Sequence, residues 1–76
     1  MKALLEILGE LHPEIDFETN KRLIDDKILD SFDIITAIAE INDEYDVAIP
    51  AHEIIPENFN SAKALYELIE RLLDED

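Results

Sequence analysis

Among the side chains able to do chemistry, Ser31 has the most distinctive setting. It lies between Asp30 and Asp33, where an irregular stretch gives way to a helical pattern. A hydroxyl at a helix start has two uses: it caps the helix by accepting a backbone N–H, or it projects into solvent from the helix's positive end. In the second case the unpaired amides and the helix dipole would favour the negative charge of an attached phosphodiester. A serine that serves only as an N-cap is the commoner case. A nucleophilic triad of Ser31, His12 or His52 and a carboxylate would need a buried, oriented base and an oxyanion hole, which a bundle this small rarely supplies. Both histidines adjoin loops and are expected to be exposed, so the chain is not read as an enzyme. The acidic groups Asp25-Asp26 and Asp43 to Asp46 lack the spaced oxygen ligands and the glycine of an EF-hand loop. They read as solvated surface that binds cations loosely, and no metal site is expected.

The elements that must position Ser31 are few. A chain of 76 residues buries only about 60–65% of the surface its unfolded form exposes and cannot divide that core, so residues 1–76 are expected to form a single domain. With no cysteine, neither disulfides nor a thiolate metal site holds the fold, and packing must do so. Apolar residues make up 47% of the chain, while one glycine and three prolines leave little room for the tight turns of an all-β domain.

Helical spacing of Ala3, Leu4, Ile7, Leu8 and Leu11, opposite Glu6 and Glu10, predicts a first helix over about 2–11, stopped by Pro13. From His12 to Asp30 the periodicity weakens. Pro13, Asn20 and Asp25-Asp26 suit a long connection, and Ile15, Phe17, Leu23, Ile24, Ile28 and Leu29 supply the apolar area to keep it ordered. Asp30 and Ser31 are both good N-caps for a second helix ending near Tyr45. Its inward stripe is read as Phe32, Ile35, Ile38, Ala39, Ile41 or Asn42, and Tyr45, and its outer face as Asp33, Thr36, Glu40, Asp43 and Glu44. Ala51 to Ile55 suits one short helical turn ended by Pro56. Ser61 can cap a last helix that turns Ala64 or Leu65, Leu68, Ile69 and Leu72 inward and Glu67, Glu70 and Arg71 outward. The tail Asp74-Glu75-Asp76 is expected to fray, because carboxylates there oppose the macrodipole.

Twenty acidic residues against six basic give a formal charge of −14. Such a surface repels phosphate backbones and anionic lipid heads and attracts basic protein surfaces. Neither nucleic acid nor membrane insertion is expected, and like-charged copies should stay monomeric. Glu6 and Glu10 interrupt the first apolar run well short of a signal peptide or membrane span, which makes the cytoplasm the expected location.

Asp30-Ser31-Phe32-Asp33, followed by Ile35 and then by Tyr45-Asp46 and Ile49-Pro50, resembles the Asp-Ser-Leu-Asp signature of the acyl carrier protein family. The spacing to an aromatic-Asp pair and an Ile-Pro is the same and ungapped. The likeness extends through length, acidity, helix order, the long first loop and the Phe59 to Leu65 entry into the last helix. It implies an all-α, acyl-carrier-like bundle of three main helices plus one short helix, with the long loop between helices 1 and 2. It also implies that Ser31 receives 4′-phosphopantetheine from coenzyme A, whose terminal thiol carries acyl groups as thioesters in fatty-acid, polyketide or related biosynthesis. The partners would be a phosphopantetheinyl transferase and acyl synthases, ligases or transferases with basic docking patches. Asp30, Asp33, Glu40, Asp43 and Glu44, with Glu53 at the short turn, are the candidate docking residues, although each alone reads equally well as solvated surface. Tethering would raise the effective concentration of cargo, and charge complementarity would speed docking without tight binding.

Two departures from the family bear on partner choice. Phe32 replaces the usual leucine, and Thr36 stands where fatty-acid carriers commonly have an acidic docking residue. A specialised pathway fits these changes. Asp30 also departs from the Gly-Gly-His/Asp-Ser pattern of peptidyl carriers, which leaves a D-alanyl-type or discrete polyketide carrier open. The alternative from another class is an acidic interaction module that keeps the fold and works by docking alone.

Overall fold

Leu4 and Leu8 stand one helical turn apart and both are fully buried. That pairing accounts for the first helix, α1 (Lys2–Leu11), in the computed structural model of the chain, which describes residues 1–74. Leu5, Ile7 and Leu11 flank the buried pair and pack against the core. After Leu11 the His12 N–H still donates to the Leu8 carbonyl, and Pro13 follows, which cannot continue a helix.

Three further helices and one tighter turn follow among the described residues: α2 (Ser31–Tyr45), a 3-10 turn at Ala51–Glu53, α3 (Pro56–Phe59) and α4 (Ala62–Asp74). The result is an all-α bundle of three main helices and a short one, as the sequence implies. α1 packs on both α2 and α4, and α3 packs on α4. α4 carries the densest burial, with Ala62, Leu65, Leu68 and Ile69 all shielded from solvent. Its start is capped by Ser61, whose hydroxyl accepts the Ala64 N–H at 3.0 Å. None of the helices among the described residues is long and apolar enough to cross a membrane.

The long connection from residue 12 to 30 is ordered by its own side chains. Phe17, Leu23 and Leu29 are buried, and Ile15, Ile24 and Ile28 pack against the core. Asn60, just before α4, ties the loop down. Its side-chain oxygen accepts the Ile24 and Asp25 N–H groups at 2.9 and 3.0 Å, and its carbonyl accepts the Leu23 N–H at 2.9 Å. The Leu29 N–H then bonds to the Leu23 carbonyl, folding the chain back so that Asp30 enters α2 from a fixed point.

Three local expectations are corrected. In α2 the inward residues are Ala37 and Ile41, with Ile34, Ile38 and Tyr45 packed beside them, while Phe32, Ile35 and Ala39 face solvent. The helix has apolar residues on more than one face, so periodicity alone admits two rotations, and packing on α1 selects the one that buries Ile41. Pro56 opens a helix instead of ending one: it occupies the first turn of α3, where its missing N–H has no partner to lose. Asp74 belongs to α4, while Glu75 and Asp76, the rest of the tail expected to fray, lie outside the described residues.

Candidate functional site

Asp30 is the N-cap of α2, with extended backbone and a side-chain oxygen that accepts the Asp33 N–H at 2.8 Å. Asp33 answers by accepting the Asp30 N–H at 3.3 Å, completing a capping box with an aspartate in its third position. Ser31 is therefore the first residue inside the helix. Relieved of capping, its side chain is exposed, and its hydroxyl has no hydrogen-bond partner among the described residues. The N–H groups of Ser31 and Phe32 likewise find no acceptor there, so a hydroxyl and two free amides share the positive end of a fifteen-residue helix.

Behind this surface the first turn of α2 is tied to the end of α1. His12 donates from Nε2 to Asp33 Oδ2 at 2.7 Å, and its Nδ1 lies 3.1 Å from Glu14 Oε1. Both the His12 and the Asp33 side chains are largely covered, at 27% and 21% exposure. The hydrogen bond to Asp33 holds the imidazole pKa above its ordinary 6.5, and the same bond holds the Asp33 carboxyl below its ordinary value. Glu14, on the loop, is also lowered, through backbone hydrogen bonding first and His12 second. The expectation that both histidines are exposed holds for His52 and fails for His12. Because the bond spans 21 positions, no local pattern announces it.

The candidate docking carboxylates fall into two groups. Asp30, Asp43 and Glu44 are exposed. Glu40 is half-buried, and Asp33 and Glu53 are engaged with the protein itself. Glu53 accepts from Arg71 of α4 at 3.3 Å and from the Asn58 side chain at 3.2 Å, which fastens the 3-10 turn to the bundle. Asp30 faces solvent even though one of its oxygens caps the helix.

What the sequence reading missed is apolar. Phe32, next to Ser31, is 80% exposed, and Ile35, one turn on, is 65% exposed. Ile34 instead lines an open apolar groove of about 160 Å³ with Ile24, Ile54, Ile55, Pro56 and Phe59. The signal that could have found this arrangement is the pair Asp30 and Asp33, since a capping box sets the rotation of the first turn.

No family profile matches the chain. It is similar to the D-alanyl carrier protein of Lactobacillus delbrueckii subsp. bulgaricus, from two strains, at 27% identity over 77 aligned positions in each case. The alignment covers 99% of this chain and 95% of the relative. The similarity to a protein named as a carrier thus extends over nearly the whole length of the chain.

Proposed function

We propose that this protein is a discrete cytoplasmic carrier, a single domain whose Ser31 hydroxyl is esterified with 4′-phosphopantetheine and which delivers its cargo to partner enzymes while catalysing nothing itself. The observation that carries the proposal is Ser31: an exposed, unpartnered hydroxyl on the first turn of α2, held there by a cap that Asp30 supplies in its place. Residues present at the site suit such a group. The free amides of Ser31 and Phe32 can face the phosphodiester, and the packed first loop and capping box hold the oxygen in one place without enclosing it. When bound, the group supplies a terminal thiol on which the cargo rides as a thioester.

The cargo we infer is an aminoacyl group of the D-alanyl kind, because a similar protein over the full chain bears that name. Thr36 and Phe32, which depart from fatty-acid carriers, fit the same direction. A second reading, an acyl cargo of fatty-acid or polyketide type, is favoured by the apolar groove that Ile34 lines three residues after Ser31. Either cargo leaves the docking logic unchanged. Asp30, Asp43 and Glu44 offer exposed charge to basic patches on a phosphopantetheinyl transferase and on ligases, synthases or transferases, and Phe32 and Ile35 add apolar area beside them. Glu40 has less exposed surface to contribute, and Asp33 and Glu53 act from within the bundle.

Intact-protein mass spectrometry tests the proposal directly. The chain is incubated with coenzyme A, magnesium and a broad-specificity phosphopantetheinyl transferase, with Ser31→Ala in parallel. One phosphopantetheine on the wild type and none on the variant is expected. Absence of addition across several transferases would favour the docking module. ATP-dependent loading of the thiol form by a D-alanine-activating ligase, set against loading by a fatty-acid-activating ligase, then separates the two cargoes.

A further inference from the structure

The imidazole of His12 has a carboxylate on each ring nitrogen: Asp33 of α2 at 2.7 Å from Nε2 and Glu14 of the loop at 3.1 Å from Nδ1. Only the imidazolium can donate to both. A neutral ring keeps one N–H and turns a lone pair toward the second carboxylate, so one of the two contacts becomes repulsive. These are the titratable groups that bear on His12. α1, which ends one residue before it, adds none among the described residues, and Asp30 stands behind Asp33 in the capping box. The Asp33 oxygen that takes the His12 bond, Oδ2, is the same atom that accepts the Asp30 N–H at 3.3 Å.

Three segments therefore meet at one imidazole: His12 follows directly on the end of α1, Glu14 lies at the start of the long loop and Asp33 is in the first turn of α2. Ser31 lies between the two halves of the box. The cation at His12 also offsets the Asp33 charge, which otherwise opposes any anion attached two residues away.

We propose that His12 is a positioning residue for modification at Ser31: as an imidazolium it latches the first turn of α2 to the end of α1 through Asp33, and loss of its proton loosens the capping box. The latch is a property of the folded chain and stands by itself; its effect on modification rests on Ser31 being the attachment point. A titration centred above that of an ordinary histidine sets the release on the alkaline side of the common range.

The test uses the full chain in two arms. In the first, NMR follows the ring protons of His12, and hydrogen exchange follows the Asp30 and Asp33 amides. Measurements run from about pH 5 to pH 9, a range that brackets histidine titration, for wild type, His12→Gln and Glu14→Gln. Intrinsic exchange rises with pH, so protection is compared with His12→Gln at the same pH.

The expected result is a His12 midpoint above the ordinary histidine value of 6.5 and a lower midpoint in Glu14→Gln. Wild-type protection of the two amides should exceed that of His12→Gln by roughly tenfold below the midpoint and approach it above. In the second arm, the ratio of wild-type to His12→Gln phosphopantetheine loading rates falls severalfold across the same midpoint, and the fall moves to lower pH in Glu14→Gln. A His12 midpoint at or below 6.5, or protection indifferent to His12→Gln, overturns the latch. A flat loading ratio with the first arm as expected overturns the role in modification. Failure of every form to load, with the first arm as expected, overturns Ser31 as the attachment point and leaves the latch supported.

Discussion

α2 and α4 are of similar length, fifteen and thirteen residues, and are held in opposite ways. α4 buries Ala62, Leu65, Leu68 and Ile69 on one continuous face. α2 fully buries only Ala37 and Ile41, and it leaves Phe32 and Ile35 in solvent at the end where Ser31 sits. A helix that gives up apolar anchorage at one end needs another means of holding that end. Here the means are polar: the Asp30–Asp33 box and the bond to His12. The difference separates a helix that holds the bundle together from one that presents a surface. The start of the surface helix is fixed by contacts that pH can change, whereas the packing helix is held chiefly by its buried apolar face.

Substitutions along the two helices should rank accordingly. Leu68→Ala, at a fully buried position of α4, is expected to cost about 2–5 kcal/mol in urea unfolding, a large share of a small domain's stability. Ile41→Ala in α2 should fall in the same range. If it cost far less, the rotation that buries Ile41 would be wrong and the contrast between the helices would lose its basis. Asn60→Ala comes next. It removes the acceptor for the Ile24 and Asp25 amides, and a loss of about 1–3 kcal/mol is expected, with faster proteolysis of the 12–30 loop.

Asp30→Ala should cost about 1 kcal/mol through the lost cap, read by thermal melting. Ser31→Ala and Phe32→Ala, one residue and two residues on, should stay within about 0.5 kcal/mol of wild type. A cost for Ser31→Ala equal to that of Asp30→Ala would return the capping role to the serine.

Stability against pH sharpens the comparison. His12 is raised in the folded state, so its contribution is complete below 6.5, its ordinary value, and disappears as pH climbs through the higher folded value. Asp33 is lowered, so its contribution is complete above 3.8 and disappears as pH falls through the lower folded value. The pair therefore stabilises the start of α2 most between about these two ordinary values. His12→Gln should flatten the alkaline limb of the urea midpoint against pH, by on the order of 1 kcal/mol or less given partial exposure. Leu68→Ala should lower the whole curve and leave that limb in place.

Much of the architecture was legible because it rests on local chemistry. Leu4 and Leu8 repeat at one turn, Ser61 precedes Ala62 and Leu65, and Phe17, Leu23 and Leu29 give the first loop something to bury. The alternation at α2 was ambiguous because Phe32, Ile34, Ile35, Ala37, Ile38 and Ile41 offer apolar residues to two faces. Pro56 is ambiguous in sequence because proline both ends helices and begins them, and only its neighbours in space decide which.

By itself the sequence determined the helical class, the acidic surface, and a serine at a helix start inside a carrier-like signature, since each depends on composition or on residues within a few positions of one another. The tertiary structure alone decided that Asp30 caps α2 and leaves Ser31 free, that Phe32 faces solvent, and that Asp33 is turned inward to His12. These depend on how α1 and α2 are rotated against each other. Rotation is chosen by the packing of the whole core and by bonds that reach across 21 residues of chain, a distance over which no local pattern carries information.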